Sequence, residues 1–311
     1  MKKDIFKRID EKLRILNSHR PLSKSVLLKL KEQFAIEMTF NSNAIEGNRL
    51  TLKETFLVLE EGITVKGKSF KDHLEAKNHF EAIHFLYEFI ENEKKLKLSE
   101  LLIRSLHQLI MKESDELASG SYRNGSVMIT GSKHRPPGVL DVPILMKNLV
   151  SWIKKFDGKI HPVVLAAKLH HEITFIHPFF DGNGRTARLV MNLYLMQKGY
   201  PLVIILKNDR KKYYNLLERA DKGKVEEFNR FIGQAVEKSL NIYLQTIEDY
   251  AKSPARKLLL LSELAKKTPY SEKYLNLLAR TGKLNAHKEG RNWVSSLEAI
   301  EEYQRNRSRQ R

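Results

Sequence analysis

The sequence predicts a mainly helical protein carrying one β-hairpin and ending in a small helix-turn-helix unit. Three observations lead there. Apolar residues recur at helical spacing on both sides of a short glycine-rich corner, first Val163, Leu165, Ala166, Leu169, Ile173 and Ile176, then Leu189, Val190, Leu193 and Met196. β-Branched residues bounded by Gly and Pro occur in one clear place, residues 120–137. Residues 258–266 and 272–280 read as two short helices separated by the turn Thr268-Pro-Tyr-Ser271.

In chain order, Ile9, Leu13 and Leu16 space an amphipathic helix whose apolar face packs on the core or on a second subunit. A later helix turns Ile36, Phe40 and Ile45 to the core and ends at Gly47 or Asn48 as a left-handed cap. The hairpin runs from Gly120-Ser-Tyr-Arg123 through Val127, Met128, Ile129 and Thr130 to a turn over residues 131–137. Pro162 suits the first turn of the next helix, and Gly199 with Pro201 stops the one after it. A long helix ends near Tyr250, and a boundary is expected at residues 251–254. Beyond the two short helices come a short strand at residues 290–294, a last helix through Leu297, Ile300 and Tyr303, and a basic, disordered end at residues 305–311.

The corner itself is His177-Pro-Phe-Phe-Asp-Gly-Asn-Gly-Arg-Thr-Ala-Arg188. It sets a base, a carboxylate, two glycines and two guanidiniums at the start of a helix, where unpaired N–H groups and the positive end of the dipole attract anions. Glycine lets the backbone come close to a ligand, and Arg185 and Arg188, one turn apart, can reach one polyphosphate. An imidazole takes a hydroxyl proton near neutral pH, and fixed N–H donors, a metal and guanidiniums stabilise phosphate charge. Other readings fail on residue identity. A calcium loop starting at Asp181 would need Gly at Thr186 and Glu at Asn192, and no P-loop run is present. His170 and His171 lack the partner histidine of a zinc-protease helix and read as packing residues.

These twelve residues resemble the signature of the Fic family, His-x-Phe-x-Asp/Glu-Gly-Asn-Gly-Arg-x-x-Arg, at every fixed position. The resemblance implies an all-α Fic (Fido) core with a small β-hairpin flap, transferring AMP from ATP to a Ser, Thr or Tyr hydroxyl of a target protein. It implies His177 as general base and Asp181 as the Mg²⁺ ligand. Phe180, Gly182, Asn183, Gly184, Arg185 and Arg188 would bind ATP, Asn183 with the glycine backbone forming the anion hole. Tyr214 and Asp221 would border the adenine, although Asp221 stands where relatives often have Asn. Ser42-Asn-Ala-Ile-Glu46-Gly47 resembles the family's inhibitory motif, on a helix at about residues 35–48, where Glu46 would pair with Arg188 in place of the γ-phosphate. Val127, Met128, Ile129 and Thr130 resemble the flap that holds the target by strand pairing. The implied division is a helical N-terminal region at 1–97, a catalytic core at 98–236 and a winged helix-turn-helix at 251–311. In that last unit Lys273, Tyr274 and Asn276 would read DNA with Arg291 on the wing, or the unit would contact protein. The resemblance also implies a homodimer. It leaves open addition or removal of AMP, nucleotide donors other than ATP, and the alternative of a nucleotide-sensing DNA-binding regulator.

Composition narrows the setting. The 311 residues carry 55 Lys and Arg against 37 Asp and Glu, a formal charge of +18, and from Ala251 onward 14 basic residues face six acidic ones. With no cysteine, disulfides, thiol chemistry and cysteine-held zinc are excluded. The first ten residues lack the apolar core of a signal peptide, and the longest apolar run, residues 202–206, is too short for a bilayer. The expectation is a cytoplasmic protein with no membrane contact.

Overall fold

The computed structural model describes residues 4–92, 98–112, 119–132, 134–251 and 258–308. Compactness divides the chain into Met1–Leu244 and Gln245–Arg311. Helix α1 (Ile5–Ser18) begins where the Asp4 carboxylate accepts the Phe6 amide, and it buries Ile5, Ile9 and Leu16. Helix α2 (Lys24–Ile45) is capped by Ser23 and stops at Glu46, with Gly47 following at φ 104°, a left-handed value that suits glycine. Thr51 and Glu54 form a reciprocal capping box that opens α3 (Leu52–Glu60). Ser69 and Asp72 exchange the same kind of bonds at the start of α4 (Phe70–Asn92), and Ser99 caps α5 (Glu100–Met111).

Prolines occupy the first turns of α6 (Val142–Phe156) and α7 (Pro162–Ile176), where a missing N–H costs no helical bond. After the glycine-rich corner come α8 (Asn183–Gln197), α9 (Arg210–Asp221) and α10 (Val225–Ala251). Helix α8 lies at the centre, packed against α2, α4, α5 and α7, and every residue from Arg185 to Leu195 is buried. It is therefore buried on all sides rather than along one stripe, and the polar groups it carries, Arg185, Thr186, Arg188 and Asn192 among them, must find partners inside.

Two features depart from the sequence expectation. Residues 120–132 form no strand ladder, so the hairpin read from Val127, Met128, Ile129 and Thr130 is corrected to an irregular loop. A lone two-stranded hairpin is marginal in water, and Pro136-Pro137 offers no N–H to a ladder. Buried Arg123 closes the loop instead, donating to the carbonyls of Gly125 and Pro137. In the C-terminal unit, Leu259–Leu260 is a strand, β1, where a helix was expected to begin. It is followed by α11 (Leu261–Ala265), α12 (Glu272–Arg280), β2 (His287–Glu289), β3 (Asn292–Ser295) and α13 (Leu297–Ser308). The sheet order is β1-β3-β2, antiparallel throughout, with Leu260 opposite Val294 and His287 also opposite Val294. Leu261, Leu264, Leu275, Leu278, Leu284 and Ile300 form its core. The boundary expected at residues 251–254 lies, beyond Ala251, outside the described residues; of the basic end expected to be disordered, residues 305–308 are instead the last turn of α13, and the final three residues lie outside the description. Among the described residues no helix is long and apolar enough to cross a membrane.

Candidate active site

The corner is built by closing a loop between two buried helices. Helix α7 ends at His177, which takes a left-handed conformation at φ 51° and so turns the chain sharply toward α8. The Asn183 side chain staples the loop, its Oδ1 accepting the Phe179 amide at 2.9 Å and its Nδ2 donating to the Phe179 carbonyl at 2.8 Å. Gly182 sits at φ 73°, and a Cβ there would press to 2.9 Å from the Met111 sulfur. His107 fixes the other side: it stacks on Phe179 with centroids 3.6 Å apart and bonds the Asp181 carbonyl at 3.0 Å. Because its Nδ1 accepts the Gly120 amide, its Nε2 is the donor to Asp181. The amides of Asn183, Gly184 and Arg185 thus open α8 with no carbonyl one turn earlier to satisfy them.

Both arginines are buried at 2% exposure and are held by carboxylates from other helices. Arg188 donates from Nη2 to Glu46 Oε1 at 2.7 Å and to the Ser42 carbonyl at 2.9 Å, from Nε to Ser42 Oγ at 2.8 Å, and from Nη1 to the Tyr213 hydroxyl at 3.4 Å. Burial works against the charged guanidinium, but Glu46 and Tyr213 outweigh it and its pKa lies above the ordinary arginine value. The Glu46 carboxylate lies against the first turn of α8 so closely that a Cβ on Gly184 would overlap it. An acidic group therefore already occupies the anion-attracting end of the helix. Arg185 lies 3.3 Å from Glu75 and 3.6 Å from Asp181, and its Nε has no hydrogen-bond partner among the described residues.

His177 is the imidazole at this corner. Its Nδ1 lies 3.2 Å from the Thr174 carbonyl and must donate to it, which leaves Nε2 with the free lone pair. Burial draws its pKa below the ordinary histidine value; Thr174 and Glu46 oppose that, while Arg123 and His134 add to it. At neutral pH the ring is uncharged and able to accept a proton. Asp181 is exposed, with Oδ1 accepting the Gly182 amide at 2.6 Å. Among the described residues no group of three or more His, Cys, Asp or Glu is placed to hold a metal. A single carboxylate nonetheless suits Mg²⁺, which keeps several waters and shares phosphate oxygens when it binds a nucleotide.

The structure brings His177, Gly182, Asn183, Gly184, Arg185, Arg188, Ser42 and Glu46 into one corner, with Phe180 exposed at 45% beside it. Tyr214 reaches it too, its hydroxyl 3.4 Å from Glu46 Oε2. Asp221 instead takes the Nε2 of His171 at 2.9 Å. Four participants were not legible beforehand. Glu75 and Tyr213 grip the two arginines, His107 holds the Asp181 carbonyl, and Arg210 donates to the Ile45 carbonyl at 2.7 Å while lying 4.9 Å from the Tyr214 ring. Each sits on an ordinary amphipathic helix, where only its spatial neighbours mark it.

Comparisons with known proteins bear on the fold and on the stretch of chain that holds this corner. The model of the Fic/DOC family matches residues 97–195. Protein adenylyltransferase Fic of Drosophila willistoni is 36% identical over 228 residues, 73% of this chain and 45% of that protein. Its namesake in Drosophila virilis is 37% identical over 242 residues, 78% of this chain and 49% of that protein. The chain thus spans about half the length of the curated relatives it matches. Among solved structures, a Fic domain containing signaling protein from Bacteroides thetaiotaomicron superposes with a TM-score of 0.72 at 29% identity, covering 79% of this chain and 97% of that one. Fic-1 from C. elegans gives a TM-score of 0.72 at 27% identity, covering 79% and 72%.

Proposed function

From the premise that this chain carries a Fic/DOC-family domain at residues 97–195, we propose that it is an autoinhibited protein adenylyltransferase, moving AMP from ATP to a hydroxyl side chain of a target protein. The observation that carries the reading is the Glu46 carboxylate bonded to Arg188 at the start of α8, beside a neutral imidazole. In the transfer, His177 Nε2 takes the proton of the target hydroxyl as its oxygen bonds to the α-phosphorus. The bond to the β-phosphate oxygen breaks and pyrophosphate leaves. Arg185 and Arg188 hold the β- and γ-phosphates, and the first amides of α8 meet the α-phosphate oxygens, stabilising charge that grows during the reaction. Asp181 is the residue that would hold Mg²⁺, which supplies a positive charge to the phosphates when bound.

Glu46 inhibits by occupancy. While it holds Arg188 it stands where a γ-phosphate would go, and ATP then settles with its α-phosphorus out of line for attack; such misplacement costs large factors in rate. The loop carrying Val127, Met128, Ile129 and Thr130 has its backbone groups outside any ladder among the described residues, as pairing with an extended target segment requires. Met128 is 96% exposed. Labelled ATP and Mg²⁺ with the full chain test the reading: Glu46→Gly should label itself and its targets faster than wild type, and His177→Ala should bind ATP but transfer nothing. Full-rate labelling by His177→Ala refutes it.

The C-terminal unit is a winged helix-turn-helix in this reading, supported by its order of strand, two helices, hairpin and helix. We assign it protein docking rather than DNA reading. The Tyr274 hydroxyl is bonded to Tyr303, the Asn276 amide to the Glu272 carbonyl, and α12 exposes Glu272 and Leu277 beside Lys273. Salt-sensitive binding of the full chain to a DNA duplex would reverse that assignment. The homodimer rests on resemblance alone, and sedimentation of the full chain tests it.

A further inference from the structure

Arg123 is 3% exposed, and carbonyl oxygens surround its guanidinium: Nε donates to His177 at 2.8 Å, Nη1 to Gly125 at 3.0 Å and Nη2 to Pro137 at 2.6 Å. Its own amide donates to the Pro178 carbonyl at 2.9 Å. Among the described residues it is paired with no carboxylate, and burial alone pulls its pKa down. Burying a cation without a counter-charge is unfavourable, so the arrangement needs every one of these carbonyl bonds. Their placement is informative. Gly125 and Pro137 bracket the loop that carries residues 127–130, while His177 is the one non-glycine residue with positive φ among those described. A planar fork with donors in fixed directions can join these points, and an ammonium cannot.

We propose that Arg123 is a positioning residue for the transfer reaction, one buried fork that fixes the strained peptide of the base and the mouth of the target-binding loop as a single unit. The inference rests on the reading of His177 as base and of residues 127–130 as the target-binding segment. It implies that the attacking hydroxyl and its proton acceptor are registered against each other before any target arrives, the kind of preorganisation that makes small displacements expensive. The charged and titratable groups facing His177 are Arg123 and His134 from the loop and Glu46 from the end of α2. Removing the Arg123 charge therefore raises the proton affinity of His177 as well as loosening it.

The test places Arg123→Gln and the milder Arg123→Lys in full-length Glu46→Gly protein and reads three quantities. Automodification with labelled ATP and Mg²⁺ should fall about a hundredfold for Gln. Affinity for a non-hydrolysable ATP analogue with Mg²⁺ should stay within about twofold, because the phosphate-binding end of α8 is untouched. Amide hydrogen exchange over residues 124–132 should quicken about tenfold or more as the loop's base opens. Unchanged exchange, or a loss of transfer matched by equal loss of nucleotide affinity, would overturn the proposal, the latter marking Arg123 as a support for the whole fold. If Gln prevents folding, Lys is judged by the same readings. A Glu46→Gly parent that transfers nothing would count against the adenylyltransferase reading instead, while hydrogen exchange over residues 124–132 would still decide whether Arg123 holds the loop.

Discussion

Removing the Glu46 carboxylate should act in opposite directions on the empty and the nucleotide-bound protein. In the empty state Glu46 gives Arg188 a charge-assisted bond of 2.7 Å in a site where the guanidinium is 2% exposed. Such a bond contributes about 1.5–3 kcal/mol net. Arg188 keeps Ser42 Oγ, the Ser42 carbonyl and the Tyr213 hydroxyl, so the loss should fall in the lower half of that range. The melting temperature of Glu46→Gly without nucleotide should then drop by roughly 2–4 °C per kcal/mol. A nucleotide seated with its γ-phosphate on Arg188, by contrast, no longer has to displace the carboxylate. The same lower half of the range, about 1.5–2.2 kcal/mol, should reappear as about 10- to 40-fold tighter ATP binding, at about 1.4 kcal/mol per tenfold. Differential scanning fluorimetry with and without ATP and Mg²⁺, beside calorimetric titration, measures both sides of this exchange, and Glu46→Gln should lie between. An ATP affinity unchanged within twofold would refute the argument, because Glu46 would then not occupy the phosphate position.

Three further outcomes are expected. Gly184→Ala should destabilise the wild type, since its Cβ overlaps the Glu46 carboxylate, but cost much less in Glu46→Gly; a double-mutant cycle by thermal melts that proves additive would contradict the contact. Transfer by Glu46→Gly should be flat through neutral pH and fall on the acid side with an inflection below the ordinary histidine value of about 6.5, because burial depresses His177; a pH-rate profile inflecting above that value would argue against it as the base. His79 and His170 are wholly buried with pKa values well below the ordinary one, chiefly through burial. Their folded pKa values are depressed, so the stability they contribute is complete above the unfolded value near 6.5 and is lost as pH falls from there toward the folded values. Melting curves between neutral pH and pH 5 should show that decline, and a His79→Gln, His170→Gln double variant should show less of it.

Several elements were readable from the chain because their causes are local. Helical spacing, Pro162 and the Gly199-Tyr-Pro201 stop bracket the two central helices, and the glycine-rich corner between them is contiguous, so residue order already places an imidazole, a carboxylate and two guanidiniums at a helix start. Gly47 marks the end of α2 for a similarly local reason, a left-handed turn that other residues resist. The hairpin expectation failed because β-branched residues between turn formers satisfy the pattern of a strand without supplying the partner a strand needs, and here Arg123 ties the loop together through the carbonyls of Gly125 and Pro137 with no ladder between them. The strand at Leu259–Leu260 was missed for the converse reason: two residues carry no period, and only Val294 and Ser295 opposite them make a sheet.

What belongs to the sequence by itself is thus the helical architecture and the chemical contents of the corner, since both arise from residues within a turn or two of one another. Tertiary structure alone decided how that corner is held: Glu75 on Arg185, Tyr213 on Arg188, His107 under the Asp181 carbonyl and Arg123 behind His177. Those partners come from helices and loops dozens of residues away, and a buried charge takes whichever partner packing brings within hydrogen-bond reach, a selection that no local pattern records.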